Sequence, residues 1–406
     1  MLRVSTSTLF RTGAQSIGAR QSDLLLAQQR MSSGKRINVP SDDPLGAADA
    51  SGVRTNLSQL SSFKSNQDHA TYLLNLADST IGDSFTALQD AQEKLVAAGN
   101  GAYGDAERAS LATDLQGILG RLVGLANSGD GAGGYLFAGS HENTVPFSQS
   151  GNNVSFNGDQ ILQSVEVSSN RYQQVKFSGD SIFQKIRPGN GTFTTAATAS
   201  NTGTGMIDTG TVANPAALTG RPYTITFTLT GSVTSYSVDR SDLGGGTTQV
   251  ATGTYTAPQA ISFDGVSVNV TGAPASGDTF TVAPSGFQSV FDTLAQAIAT
   301  LRTPVQGSPA GNAKFQTSLG QVQASLAQAL DNFSTHRSEV GSGLQELDAY
   351  RQLTGDRQLQ YQTRLSAVED LDMVKGAIDQ QQAQSTYQAA LQSYTAVSRL
   401  SLFNYL

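Results

Sequence analysis

Two ladders of residues spaced seven apart constrain this chain more than any other feature. One runs Leu319, Leu326, Phe333, Val340, Leu347, Thr354, Tyr361 and Val368, and the other Leu60, Gln67, Leu74, Ile81, Leu88 and Leu95. A period of seven is the spacing at which an α-helix presents one continuous seam to a neighbour. Proline usage agrees with this. All eleven prolines fall between Pro40 and Pro309, and none lies between Pro44 and Pro146. The chain reads as two helical ends bracketing a different middle. Seams of this kind must be buried against each other or against neighbours, which points to an assembly protein rather than a pocketed enzyme.

At 406 residues the chain has room for two or three domains. Its net charge of −7 argues against a general nucleic-acid binder, which needs a basic face. With no cysteine, disulfides and thiolate metal sites are excluded. The start, Met1-Leu2-Arg3-Val4-Ser5-Thr6, lacks the continuous apolar core of a secretory signal. No apolar run approaches the roughly 20 residues needed to span a bilayer, so membrane insertion is not expected.

The first forty residues carry six positive side chains against the single negative Asp23, with a loose apolar stripe through Val4, Leu9, Phe10, Ile17, Leu24, Leu25 and Met31. So lean a helix is marginal in isolation, and the arm is expected to be disordered in the free monomer. Gly34 to Pro44 breaks the helix. Ser41-Asp42-Asp43-Pro44 restarts it, because a carboxylate before a first-turn proline caps free amides. The next helix runs to about Ala98 and stops at Gly99-Asn100-Gly101. Leu111, Leu115, Ile118, Leu122 and Leu125 then outline a further helical seam.

From Asn127 the period shifts to two. Residues 153–157, 161–167 and 171–177 read as strands of a small sheet laid on the helices. Residues 188–285 hold 22 threonines and no lysine, with alternation such as Tyr223-Thr224-Ile225-Thr226-Phe227-Thr228-Leu229. β-branched residues at period two, cut by turn residues, predict an all-β inserted domain, with Gly203 to Gly210 and Gly244 to Gly246 as flexible loops. Helix returns at Phe287 to Arg302, pauses at Pro304 and Pro309, then runs almost to the end. Gly341, Gly343, Gly355 and Gly376 each weaken it by roughly 1 kcal/mol relative to alanine, and Gly355 is the expected join between two helical pieces. The glutamine-rich tract from Asp379 to Ser385 specifies no seam, which Tyr387, Leu391, Tyr394 and Val397 restore.

The expected fold class is therefore α+β and multidomain. Long terminal α-helices form a coiled coil or bundle with a small β-hairpin region, and an all-β domain is inserted. Expected boundaries are 1–43 with 364–406 for the terminal coiled coil, 44–187 with 286–363 for the bundle and small sheet, and 188–285 for the solvent-facing insert.

Residues that could carry chemistry have plainer roles. His69, His141 and His336 lie far apart in sequence, and no HExxH motif occurs. Ser33-Gly34-Lys35-Arg36 echoes the end of a phosphate-binding loop, but Gln29 stands where its leading glycine belongs and Arg36 replaces the Ser or Thr. Asp42-Asp43 and Glu369-Asp370-Leu371-Asp372 read as helix caps and solvated carboxylates rather than as an acid–base pair. The basic arm is expected to meet that acidic 369–372 stretch on the C-terminal helix. No catalytic, cofactor or metal residue is assigned.

Arg30-Met31-Ser32-Ser33-Gly34-Lys35-Arg36-Ile37-Asn38, followed by Ser41-Asp42-Asp43-Pro44, resembles the N-terminal signature of the bacterial flagellin family. The close, from Val368-Glu369-Asp370-Leu371-Asp372-Met373-Val374 to Ser401-Leu402-Phe403-Asn404-Tyr405-Leu406, is similar to the junction, hook-associated branch of that family rather than to filament flagellins. Tyr135 to Ser140 and Ile261 to Val266 look like that branch's middle. The resemblance implies a non-enzymatic junction subunit without cofactors, placed in the extracellular flagellum between another hook-associated protein and flagellin. It would associate with other copies of itself in a ring. Export would be unfolded, through the flagellar type III apparatus and without a cleaved signal peptide, with a cytoplasmic chaperone on the C-terminal helix.

The terminal segments would pair as a coiled coil. Val4, Leu9, Phe10, Ile17 and Leu24 are expected to meet Tyr387, Leu391, Tyr394, Val397, Leu400 and Phe403, with Leu402, Tyr405 and Leu406 sealing the end. Rival readings are flagellin itself, a flagellin-like scaffold carrying an inserted enzyme, and a glycan-binding surface module.

Overall fold

The computed structural model describes residues 6–399, which divide into two compact units. One comprises residues up to 66 together with 349 onward, and the other residues 67–348. Two long helices, α2 (Pro44–Ala98) and α5 (Pro309–Glu369), contribute to both.

The first unit adds α1 (Thr6–Ser33) and α6 (Met373–Arg399). Helix α1 ends where Gly34 takes φ +68°, a left-handed conformation that glycine enters without steric cost. Helix α2 starts with Pro44 in its first turn, and Asp43 Oδ1 accepts the Gly46 amide at 3.0 Å. Asp42 Oδ2 accepts the amides of Asn38 and Val39. These backbone donors hold both carboxyls below their ordinary pKa. Within this unit α2 meets α5 through Asp49 paired to Arg364 and Arg54 paired to Glu369.

Helix α5 passes through Gly341, Gly343 and Gly355 without interruption, so the join expected at Gly355 is absent. Leu347 and Thr354 are buried on the α5 seam. Packing of that seam outweighs a glycine penalty of about 1 kcal/mol. The break falls instead at residues 370–372, where Asp372 Oδ1 accepts the amides of Val374 and Lys375 to start α6. The acidic 369–372 stretch therefore closes α5 and forms the link, and does not lie on the C-terminal helix.

All six residues of the α2 ladder are buried, as are Leu319 through Thr354 of the α5 ladder. A second α2 row, three residues on, is buried too: Phe63, Ala70, Ala77, Ser84, Ala91 and Ala98. In the second unit Arg337 pairs with Asp78, and Gln323 donates to the Leu95 carbonyl, so α2 and α5 are antiparallel there.

Helix α3 (Asp105–Ala126) buries Leu115, Leu119, Leu122, Val123 and Ala126. Leu111, Ile118 and Leu125 from the expected seam are only half-buried, so the packed face is rotated from the sequence reading. The expected small sheet is two separate hairpins. One joins β1 (Phe147–Ser150) to β2 (Asn153–Phe156), and the other β3 (Gln163–Ser168) to β4 (Arg171–Lys176). Ile161 and Leu162, expected inside a strand, lie exposed in the link between them.

These pieces converge on Phe183, which sits in a single π-helical turn, Asp180–Gln184. Its ring centroid lies 5.4 Å from Phe137, 5.3 Å from Phe147 and 5.2 Å from Phe333, and it stacks at 5.8 Å on Phe291 of α4 (Val290–Arg302). Edge-to-face and offset contacts suit the aromatic quadrupole. Nearby, Lys176 is buried and reaches both Asp130 and Glu142 at 2.9 Å, tying the glycine-rich 128–142 loop to β4.

The insert is an antiparallel two-sheet domain. Its strands are β5 (Phe193–Ala197), β6 (Met206–Ile207), β7 (Thr211–Val212), β8 (Tyr223–Thr230), β9 (Val233–Ser241), β10 (Thr247–Thr254), β11 (Gln259–Phe263), β12 (Val266–Thr271) and β13 (Thr279–Pro284). One sheet runs β10-β9-β8-β13-β5. The other runs β11-β12-β6, with β7 also on β12. Along β8, Tyr223, Ile225 and Phe227 enter the core while the threonines face away from it. The 203–210 segment, expected as a flexible loop, contains β6. Asp278 pins its start by accepting the amides of Thr202 and Gly203.

A polar stripe on α5 docks the insert. Lys314 donates to the Ala199 and Asn201 carbonyls, Gln321 donates to Thr195 Oγ1, and Ser325 Oγ accepts the Gly189 amide. At the neck, Ile186 and Gln288 exchange both backbone hydrogen bonds.

Phe183→Ala is expected to destabilise the second unit by about 3–5 kcal/mol, read from denaturant unfolding, because every ring around it loses a partner. The Lys176 cluster predicts a pH profile. Burial pushes Asp130 up, but Lys176 and the Ala132 and Gly134 amides outweigh it, so its pKa falls below the ordinary value. Lys176, with help from Gln163, also lowers Glu142. Burial lowers Lys176, and its two carboxylate partners more than restore it. Carboxylates with depressed folded pKa values contribute stability that is present above the unfolded carboxylate range and lost as pH falls through the folded values. The raised lysine loses its contribution only as pH climbs through its own folded value. Lys176→Met should therefore flatten the acid limb of the stability–pH curve measured by thermal melts.

Candidate functional site

The terminal hairpin of the first unit is the candidate site. Helices α1 and α6 pair antiparallel. Near one end the Phe10 ring meets Tyr394 edge-on, with centroids 6.0 Å apart. A Cβ on Gly13 would come within 2.7 Å of the Tyr394 ring, so the helices approach closely there. Near the other end Gly376 packs against Met31 and Leu371.

Among the described residues of α1 and α6, Gly376 alone is buried. Phe10, Ile17, Leu24, Tyr387 and Tyr394 are half-buried, and Leu391 is 37% exposed. Of the expected contacts, the one explicitly formed is Phe10 with Tyr394. Val4, Leu400, Leu402, Phe403, Tyr405 and Leu406 lie outside the described residues, as do the side chains of Leu9 and Val397. The pair leaves Leu25 of the expected stripe in solvent at 57% exposure, together with Val374 at 72% and Ile378 at 60%, with Met373 beside them, a set on α6 absent from the sequence expectation. Their helical spacing was the available signal, Met373 with Val374 and Ile378 four to five residues on.

Two helices with no buried side chain among the described ones gain little from burial to offset the entropy of ordering some fifty residues. Among its described side chains the hairpin therefore has no core of its own.

The joint beneath the hairpin is polar. The Arg36 amide donates to the Glu369 carbonyl at 2.6 Å, and the Leu371 amide donates to the Gly34 carbonyl at 2.9 Å. Lys35 Nζ lies 3.2 Å from Glu369 Oε2, and Arg54 pairs with Glu369 Oε1. Of the acidic stretch, only the Glu369 side chain pairs with the basic arm, since Asp370 bonds Ser366 and Asp372 caps α6.

The histidines remain separate. His69 is exposed, His141 lies 3.8 Å from Asp159, and His336 bonds Glu339. Among the described residues no set of three His, Asp or Glu side chains is arranged to hold a metal.

Long antiparallel helices with an inserted two-sheet domain and an incompletely buried terminal hairpin define a flagellin-type structural subunit. The family described as bacterial flagellin N-terminal helical region matches residues 4–142, and the flagellar hook-associated protein 1 D2-like domain matches residues 196–284. The flagellar hook-associated protein 3 of Salmonella typhimurium is 27% identical over 99% of both chains. The crystal structure of Xanthomonas campestris FlgL is 30% identical with a TM-score of 0.71, covering 77% of this chain and 99% of that one. The flagellar junction protein FlgL of Legionella pneumophila is 27% identical with a TM-score of 0.71, covering 79% of this chain and all of that one. The chain belongs to the FlgL family, that of flagellar hook-associated protein 3.

The contrast between two α1 glycines gives a direct check. Gly18 has open space where a Cβ would go, so Gly18→Ala should raise helix stability by about 1 kcal/mol. Gly13→Val should push Tyr394 aside and lower the helical signal of α1 and α6 in circular dichroism.

Proposed function

We propose that this chain is a non-enzymatic subunit of the bacterial flagellum that joins the hook, through an adjacent hook-associated protein, to the flagellin filament. The observation that carries the reading is the terminal hairpin, whose apolar residues find too little cover within one chain. Copies arranged in a ring bury Val4, Leu9, Phe10, Ile17, Leu24, Tyr387, Leu391, Tyr394, Val397, Leu400 and Phe403 among themselves. Leu402, Tyr405 and Leu406 seal the terminal contact. In this reading residues 1–43 and 364–406 form the coiled coil, and the 188–285 insert faces solvent.

The subunit is exported unfolded through the flagellar type III apparatus without a cleaved signal peptide, and a cytoplasmic chaperone holds the C-terminal helix beforehand. It takes no cofactor and binds no nucleic acid. Among the described residues no helix is long and apolar enough to cross a membrane.

Bulk filament subunit is the second reading, favoured by the flagellin match over residues 4–142. Against it, filament flagellins align over only part of this chain, whereas hook-associated protein 3 aligns over nearly all of it.

Deleting Tyr387 to Leu406 should abolish filament attachment while the second unit keeps its thermal transition. Normal attachment by the truncated chain would refute the junction reading, and seeded growth of the purified full chain into long filaments would favour flagellin.

A further inference from the structure

The buried carboxylate of Glu369 stands where four pieces of the first unit meet. It closes α5, receives Arg54 from α2, and receives Lys35 from the turn that follows α1. Its own carbonyl takes the Arg36 amide, and two residues on the Leu371 amide reaches back to Gly34, leading directly into α6. The two backbone bonds make a short antiparallel ladder between residues 34–36 and 369–371. The Glu369 side chain thus joins α2 and the segment that follows α1 to the end of α5.

We infer that Glu369 is a positioning residue that couples the two helical pairs, so that the α1/α6 hairpin and the α2/α5 pair order as one unit in one register. Three features of the site support this. The carboxylate is buried while its cationic partners stay about half exposed, so removing its charge strands no buried cation. Both oxygens are engaged, each by a different segment, which makes the contact a bridge rather than a simple pair. Neither of the other arginines near the joint reaches this carboxylate: Arg36 bonds Asp43 and the Val368 carbonyl, and Arg364 joins α5 to α2 at Asp49. The consequence is directional. When chain ends are captured in an assembly, the gain in order passes through Glu369 to α2 and α5, because linked equilibria are reciprocal.

The inference deepens the assembly reading of the terminal hairpin, but its test is made on the isolated full chain and stands apart from that reading. Hydrogen exchange followed by mass spectrometry would report peptides spanning 34–43 and 366–372, which carry the two backbone bonds. Glu369→Gln keeps the shape and loses the charge. It should speed exchange in both peptides together by roughly tenfold, the size of a partly buried charged contact. Arg54→Gln should produce a similar change, and the double variant should lose little more than either single one, since the two share one contact. Peptides from 105–126 should not change.

Glu369→Asp should recover part of the protection, which a merely space-filling role would not give. Unchanged exchange in Glu369→Gln, additive losses in the double variant, or full exposure of both peptides in the natural chain would each overturn the inference. Failure of filament attachment, by contrast, bears only on the junction reading.

Discussion

Burial of the seams on α2 and α5 is the constraint on which the rest of the structure depends. Helices of 55 and 61 residues are roughly 80–90 Å long, and no local interaction keeps such rods in register. Their register comes from rows of Leu, Ile, Phe and Ala repeating every seven residues, reinforced by cross-helix ion pairs such as Asp78 with Arg337. Once α2 and α5 are fixed, α3, α4, the two hairpins and the insert each have a prepared surface. The Phe183 hub gathers the 128–142 loop, the first hairpin, α4 and α5 through Phe137, Phe147, Phe291 and Phe333, which explains why an irregular π-helical turn is kept there.

The two units behave differently. In residues 67–348 the helices are clothed by hairpins, short helices and the docked insert, and side chains are fully buried. In α1 and α6 the described side chains reach half burial at best. Charge follows the same division. The unit built from the chain ends holds 13 Lys and Arg against 9 Asp and Glu, whereas residues 67–348 hold 12 against 23. One unit is thus basic and incompletely cored, the other acidic and self-contained. That contrast is what a subunit needs if one part folds by itself and the other finishes folding among neighbours.

Much of this was legible in the sequence because periodicity and proline placement are local signals. The ladders, the cap at Asp43-Pro44 and the alternation of β8 all translated directly into structure. Long-range choices were not legible. Nothing local shows that Gly355 is overridden by a packed seam, or that the break falls at 370–372 beneath a cap from Asp372. The packed α3 face differs from the expected seam because Leu111, Ile118 and Leu125 are as apolar as the residues that packed. Two hairpins stand where one small sheet is expected, because strand pairing depends on partners distant in sequence. The polar stripe Lys314, Gln321 and Ser325 was visible in its spacing, but polar residues at helical intervals ordinarily mark a solvated face. At the terminal hairpin Phe10 and Tyr394 could be paired from sequence, whereas the bridge at Glu369 needed Arg54, which no motif singles out.

The neck of the insert has a practical corollary. Ile186 and Gln288 are hydrogen-bonded partners, so the chain leaves and rejoins the helical scaffold at neighbouring points, about 5.5 Å apart as in any such antiparallel pair. Everything between them is a cassette whose two attachment points are already side by side. A foreign domain with adjacent termini could be grafted there without stretching the host, which would make the subunit a display platform.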